Sequence, residues 1–193
     1  MVGRVSATGR GGARRKDDYY ATPGWAVDAI LPFLPLDGRV LEPAVGEGAI
    51  VARLVAAGVA RDRVTAIELD AARAAMSGAR AADFLGFAAA TPERFELVVT
   101  NPPFRLAREF CDAAFRLAPT VAMLLRLNFI ASKARAPWHR AHPADLYVLS
   151  RRPSFTGGGT DSTEYAWFVW GHGRGGRWRV LDAPPAVALG VVA

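Results

Sequence analysis

The sequence predicts an α/β domain wound around a mostly parallel sheet. Three observations carry that prediction. From Val40 onward, short β-type apolar runs alternate with helical runs. The first of these strands opens into a glycine-rich turn, Glu42-Pro43-Ala44-Val45-Gly46-Glu47-Gly48. A later strand ends in Asn101-Pro102-Pro103-Phe104. Strict alternation places helices on both faces of one sheet. In such doubly wound sheets, ligands sit over the carboxyl ends of the strands.

The elements follow in order. Residues 1–16 are Gly- and Arg-rich without periodicity and read as a flexible basic arm. Thr22-Pro23 has helix-start chemistry, with Thr as N-cap and Pro at the first helical position. That helix runs through Trp25, Val27, Ile30 and Leu31 and stops near Pro35. A strand is expected over 39–42, a helix over 47–57 stopped by Gly58, a strand over 64–68 and a helix over 70–77. Residues 80–84 read as a short strand and 95–100 as a buried one. In 106–117, Leu106, Phe110, Ala113 and Leu117 fall at helical spacing. Strand 121–127, helix 130–140, and strands 146–150 and 164–170 complete the pattern, with 177–181 as a possible edge strand. No long helix separates the last two core strands, so the final one is free to pair antiparallel. Residues 17–183 read as a single domain and 184–193 as a tail.

The chain has 193 residues, 51% of them apolar and 22% charged, which suits a globular domain rather than a disordered chain. No uncharged apolar run reaches the roughly 18 residues of a membrane span, and the N-terminus lacks a secretory apolar region. A single cysteine, Cys111, leaves no partner for an internal disulfide and suits a reducing, cytoplasmic setting. His139, His142 and His172 have no Cys or acid at ligand spacing, so no metal is expected. The net charge is +6 and is unevenly spread. Arg4, Arg10, Arg14, Arg15 and Lys16 precede the first acid. Arg126, Lys133, Arg135, Arg140, Arg151 and Arg152 face only Asp145 across a second stretch. Such asymmetry suits a polyanionic partner. Only two of the 24 basic residues are Lys, which also fits a GC-rich coding sequence.

Asn101–Phe104 carry the most specific chemistry. A side-chain carbonyl, proline carbonyls without competing N–H groups and a flat ring share one small volume, which suits a planar NH₂ group. The glycine turn lets backbone approach a ligand. Glu42 would repel a phosphate there and would suit an ammonium group. Glu68, ending the next strand, can accept both ribose hydroxyls, while Asp70 caps the following helix. Asp83 can accept from an adenine amino group, with Leu69 or Phe84 against the ring; a plain turn aspartate is the alternative. Together these acids describe a nucleoside with a cationic tail, and S-adenosyl-L-methionine fits that description.

On these motifs the chain resembles the class I S-adenosylmethionine-dependent methyltransferases, and more narrowly the DNA adenine N6-methyltransferases. The segment Asp18-Tyr19-Tyr20-Ala21-Thr22-Pro23 is similar to the family's upstream cofactor motif, in the gamma-like order. Residues 152–161 and 165–170 look like those of small phage and prophage adenine methylases. The resemblance spans residues 17–171. It implies a Rossmann-like methyltransferase fold, with a seven-stranded sheet whose last strand is antiparallel. It implies cofactor contacts at Tyr20, Thr22, Glu42, Pro43, Gly46, Gly48, Glu68, Leu69, Asp83 and Phe84. Asn101, Pro102, Pro103 and Phe104 would hold a flipped-out adenine, with Phe104 and Phe155 stacking on it. Lys133, Arg135 and the N-terminal arm would contact phosphates.

DNA is favoured over RNA as partner, though the motif also serves RNA adenine methylation. Enzymes that methylate a glutamine amide use a related motif, usually with Tyr where this chain has Phe104. The strands after Pro103 use nearly all the remaining chain, so a short or degenerate target sequence is expected, or specificity from loops or a partner subunit.

Overall fold

The computed structural model describes residues 21–154, 162–171 and 175–183. The arm at 1–16, the tail at 184–193, Tyr20, Phe155 and His172 lie outside the described residues. Helix α1 spans Gly24–Ile30, followed by strand β1 (Val40–Glu42), helix α2 (Ala49–Ala56), β2 (Val64–Glu68), α3 (Ala71–Ser77) and β3 (Arg80–Ala81). Helix α4 (Phe84–Ala90), β4 (Leu97–Thr100), α5 (Ala107–Ala114) and β5 (Thr120–Arg126) come next. Helix α6 (Ala136–Ala141), β6 (Asp145–Leu149), β7 (Tyr165–Trp170) and β8 (Trp178–Leu181) complete the order.

The described strands form an eight-stranded sheet in the order β3-β2-β1-β4-β5-β7-β6-β8. Strands β1 to β5 pair parallel with one another. Strand β7 inserts antiparallel between β5 and β6, as the missing crossover helix requires. The sheet exceeds the expected seven strands because β8 pairs parallel with β6 and extends the edge.

Burial on both faces explains the near-continuous apolar strands. In β5, Ala122 and Leu124 enter one core with α1 and α2. Val121, Met123 and Leu125 enter the other with α4, α5 and α6. Tyr165, Trp167 and Val169 of β7 join the first core, and Ala166, Phe168 and Trp170 the second. The Trp167 indole N–H donates to the Ala26 carbonyl at 2.8 Å and ties α1 to the sheet centre. The Trp138 indole N–H donates to Asp112 at 2.8 Å and joins α6 to α5.

Three local expectations need correction. Pro23, not Thr22, is the N-cap of α1, and no side chain caps that end. The strand expected over 80–84 stops at Ala81, because Asp83 begins helix α4 by accepting from the Gly86 N–H at 2.7 Å. The helix expected over 130–140 starts only at Ala136; a short 3-10 turn at Leu127–Phe129 and a loop precede it.

Candidate active site

A cleft of about 900 Å³, counting its open mouth, lies over the carboxyl ends of β1, β2 and β4. Thr22, Pro43, Glu68, Leu69, Asp83, Phe84, Asn101 and Pro103 all line it. Residues more than 70 positions apart in sequence thus meet, as a parallel sheet requires.

The glycine turn is shaped by backbone conformation. Gly46 and Gly48 have φ values of 55° and 88°, a left-handed region that side chains disfavour. The turn is stitched to β2: the Val45 N–H donates to the Ile67 carbonyl at 3.0 Å, and the Gly46 N–H to Glu68 Oε2 at 2.8 Å. Gly46 and Gly48 therefore support the cleft from behind rather than lining it.

Glu68 is more committed than a bare ribose acceptor. Its Oε1 accepts from the Asp70 N–H at 3.0 Å and from Nε and Nη2 of Arg73, each at 3.2 Å. Arg73 itself lines the cleft. Asp70 caps α3 as expected, accepting from the Arg73 N–H at 2.9 Å.

Glu42 lies behind the cleft wall, 1% exposed, and is not a lining residue. Burial pushes its carboxyl up from 4.5 to about 8. The Thr100 hydroxyl and Ala44 N–H oppose that shift, and the nearby Glu68 charge adds to it. Oε1 accepts from the Ala44 N–H at 3.2 Å, but Oε2 and the Thr100 hydroxyl have no hydrogen bond of good geometry. Burial thus favours the protonated form of Glu42 in the protein alone, and a nearby cation would favour its ionised form.

Asp83 serves two purposes. Oδ2 caps α4, and the exposed side chain borders the cleft. Leu69 is 65% exposed at the rim, an apolar wall suited to a flat ring. Phe84 is buried against Phe110, with ring centroids 4.8 Å apart, so it backs the cleft from the core.

At the end of β4, Asn101 Nδ2 donates to Thr22 Oγ1 at 3.1 Å. The Pro103 carbonyl accepts from the Leu106 N–H at 2.9 Å and is already engaged, while Pro102 is buried and does not line the cleft. No backbone N–H among the described residues takes the Pro102 carbonyl. Phe104 does not line the cleft; its ring lies beside it, 5.7 Å from Tyr165 and under the Arg126 guanidinium at 4.9 Å. Arg126 also donates to the Tyr165 hydroxyl at 3.2 Å.

The two basic residues singled out between β5 and α6 are not brought to the cleft. Lys133 is exposed on the loop. Arg135 turns back, donating to the carbonyls of Phe129 at 3.0 Å and Asn128 at 3.4 Å, with its guanidinium over the Phe129 ring. Three arginines at or beside the site, Arg73, Arg105 and Arg126, do not stand out in the sequence as site residues. Arg105 follows the Asn-Pro-Pro-Phe motif directly and lines the cleft. Arg73 lies five residues beyond Glu68 in the first turn of α3, a spacing that could have revealed it. Cys111 is buried, and burial pushes its thiol far up, so it is no nucleophile.

No family model and no curated protein matches the sequence. Solved structures do match in fold. A Pyrococcus horikoshii protein described as an RNA methyltransferase aligns with a TM-score of 0.63 at 14% identity, over 80% of this chain and 88% of that one. The methyltransferase subunit of a type I restriction-modification system from Streptococcus thermophilus aligns at 0.64 with 14% identity, over 84% of this chain and 47% of its own. The fold is the Rossmann-like methyltransferase fold. The 23S rRNA methyltransferase ErmE matches at 0.53 with 23% identity, over 75% of this chain and 65% of that one. This chain spans about half the length of the type I subunits it matches. Among the described residues, no helix is long and apolar enough to cross a membrane.

Proposed function

We propose that this protein is an S-adenosylmethionine-dependent methyltransferase that methylates the exocyclic N6 amino group of a flipped-out adenine in DNA. The observation that carries the reading is the cleft itself. It joins the Asn101 amide to the glycine turn, to Glu68 at the end of β2 and to Asp83 at the start of α4 within one methyltransferase fold.

The residues present fit that cofactor. Leu69 supplies an apolar rim for the adenine ring, Asp83 an acceptor beside it, and Glu68 an acceptor for ribose hydroxyls. Glu42, with Oε2 buried and lacking a hydrogen bond, gains a charge partner when a cation lies nearby. S-adenosylmethionine supplies an electrophilic methyl group on sulfonium. The N6 lone pair of adenine is delocalised into the ring, so the protein's task is orientation. The Asn101 oxygen and the Pro102 carbonyl accept the two N–H groups and favour a pyramidal nitrogen. Transfer would break the donor's S–C bond as the N–C bond forms, and the nitrogen would release a proton to water. Geometry and fixed dipoles dominate this step.

The base must leave the helical stack before it can reach Asn101, and stacking on Phe104 offsets part of that cost. Phe155 is the proposed second face. Arg105 and Arg126, which share the carboxyl end of the sheet with Asn101, join Lys133 and residues 1–16 as proposed phosphate contacts. A partner subunit is a proposed source of sequence specificity. RNA adenine and a glutamine amide present the same NH₂ chemistry. One assay separates them: offer labelled S-adenosylmethionine with DNA, RNA and protein pools in parallel. Label in DNA supports the proposal; label confined to RNA or protein overturns the substrate assignment.

A further inference from the structure

We propose that Thr22 is a positioning residue, which holds the Asn101 amide in place in the cleft for methyl transfer. The inference rests on the reading of Asn101 as the acceptor for the target NH₂. An asparagine amide has an acceptor end and a donor end of nearly equal size. Only the oxygen can receive an N–H of the substrate. Turned over, the amide would set two donors against each other, and the substrate nitrogen would stay planar.

Thr22 limits how far the amide can move from its place; its hydroxyl both donates and accepts, so it holds the amide rather than choosing between its ends. Thr22 is 8% exposed and precedes α1. Its sequence context suggests a helix cap, yet Pro23 holds that position and the Thr22 hydroxyl does not cap α1. It instead accepts from Asn101 Nδ2 at 3.1 Å, across 79 residues of sequence. With the nitrogen held there, the oxygen takes the opposite end of the amide. Both residues line the same cleft. A β-branched side chain has few χ1 choices, so Thr aims its hydroxyl more narrowly than Ser would.

The test compares Thr22→Val and Thr22→Ser in the full-length chain. Three quantities are measured: the single-turnover transfer rate at saturating S-adenosylmethionine, the donor Kd, and water exchange of the Asn101 side-chain NH₂ by nitrogen-15 NMR. The resonance is assigned by its loss in Asn101→Ala. Thr22→Val is expected to slow transfer by about 10- to 100-fold while the donor Kd moves less than about threefold. Asn101 NH₂ exchange is expected to quicken, and Thr22→Ser to recover most of both losses. An unchanged transfer rate overturns the proposal. So does a donor Kd that rises as much as the rate falls while Asn101 exchange is unmoved; Thr22 is then a cofactor contact only. If the wild type methylates no substrate, the functional reading fails, and the exchange measurement alone decides whether Thr22 holds the amide.

Discussion

Glu68 Oε1 is held by Arg73 through both Nε and Nη2, each at 3.2 Å, inside the cleft where a ribose would donate its hydroxyls. The Glu68 side chain is 7% exposed, and its other oxygen is taken by Gly46. A nucleoside whose ribose reached Glu68 would compete with Arg73 for the same carboxylate oxygen. Arg73→Ala is expected to tighten S-adenosylmethionine binding by about three- to tenfold, measured by calorimetry. It is also expected to cost about 1–3 kcal/mol of stability, because a buried carboxylate loses its counter-charge. Weaker binding in Arg73→Ala would show that the guanidinium contacts the ligand directly.

Glu42 makes stability depend on pH in a specific direction. Its carboxyl is raised from 4.5 to about 8 by burial, so the folded protein binds a proton that the unfolded chain releases. The stability associated with that proton is fully present below about 4.5 and is lost as pH rises through about 8. Urea unfolding of the ligand-free protein should give a lower midpoint at pH 8 than at pH 5, and Glu42→Gln should flatten that difference. A cationic ligand favours the ionised form, so its binding should release protons near pH 7, read from calorimetry in buffers of different ionisation enthalpy.

Trp167 tests the join between helix α1 and the sheet. Trp167→Phe keeps most of the apolar packing but removes the indole N–H that the Ala26 carbonyl accepts in addition to its helix bond. A loss of about 0.5–1.5 kcal/mol in denaturant unfolding is expected. Because α1 follows Thr22 directly, loosening it should also broaden the Asn101 side-chain signal.

The N-terminal arm tests the polyanion. Deleting residues 1–16 removes Arg4, Arg10, Arg14, Arg15 and Lys16. DNA binding should weaken, and the slope of log K against log salt should flatten by roughly 0.9 for each phosphate that the arm neutralises. An unchanged slope would place the phosphate contacts elsewhere, with Arg105 and Arg126 the next to substitute.

Much of this architecture is legible in the chain because the signals are local. Strand β2 begins and ends where its apolar run does, and Asp70 caps α3 through a hydrogen bond formed within three residues. Asn101 and Glu68 line one cleft because a parallel sheet brings strand ends together. What the sequence hides depends on partners far away. Thr22 has cap chemistry, but its oxygen is claimed by Asn101. Arg135 reads as a surface charge, but two loop carbonyls turn it inward. Asp83 follows a strand and starts a helix at once, so the beginning of α4 reads as the end of that strand. The burial that neutralises Glu42 comes from the packed fold rather than from its neighbours in sequence.

The central claim is that Asn101 holds an adenine NH₂ for methyl transfer. Its most direct test is to incubate DNA with labelled S-adenosylmethionine and wild-type or Asn101→Ala protein, digest to nucleosides and identify the methylated atom by mass spectrometry. The expected result is N6-methyldeoxyadenosine from the wild type, a fall of about 10²–10³ with Asn101→Ala, and only a modest change in donor affinity. N5-methylglutamine without methylated adenine, or full transfer by Asn101→Ala, would contradict it.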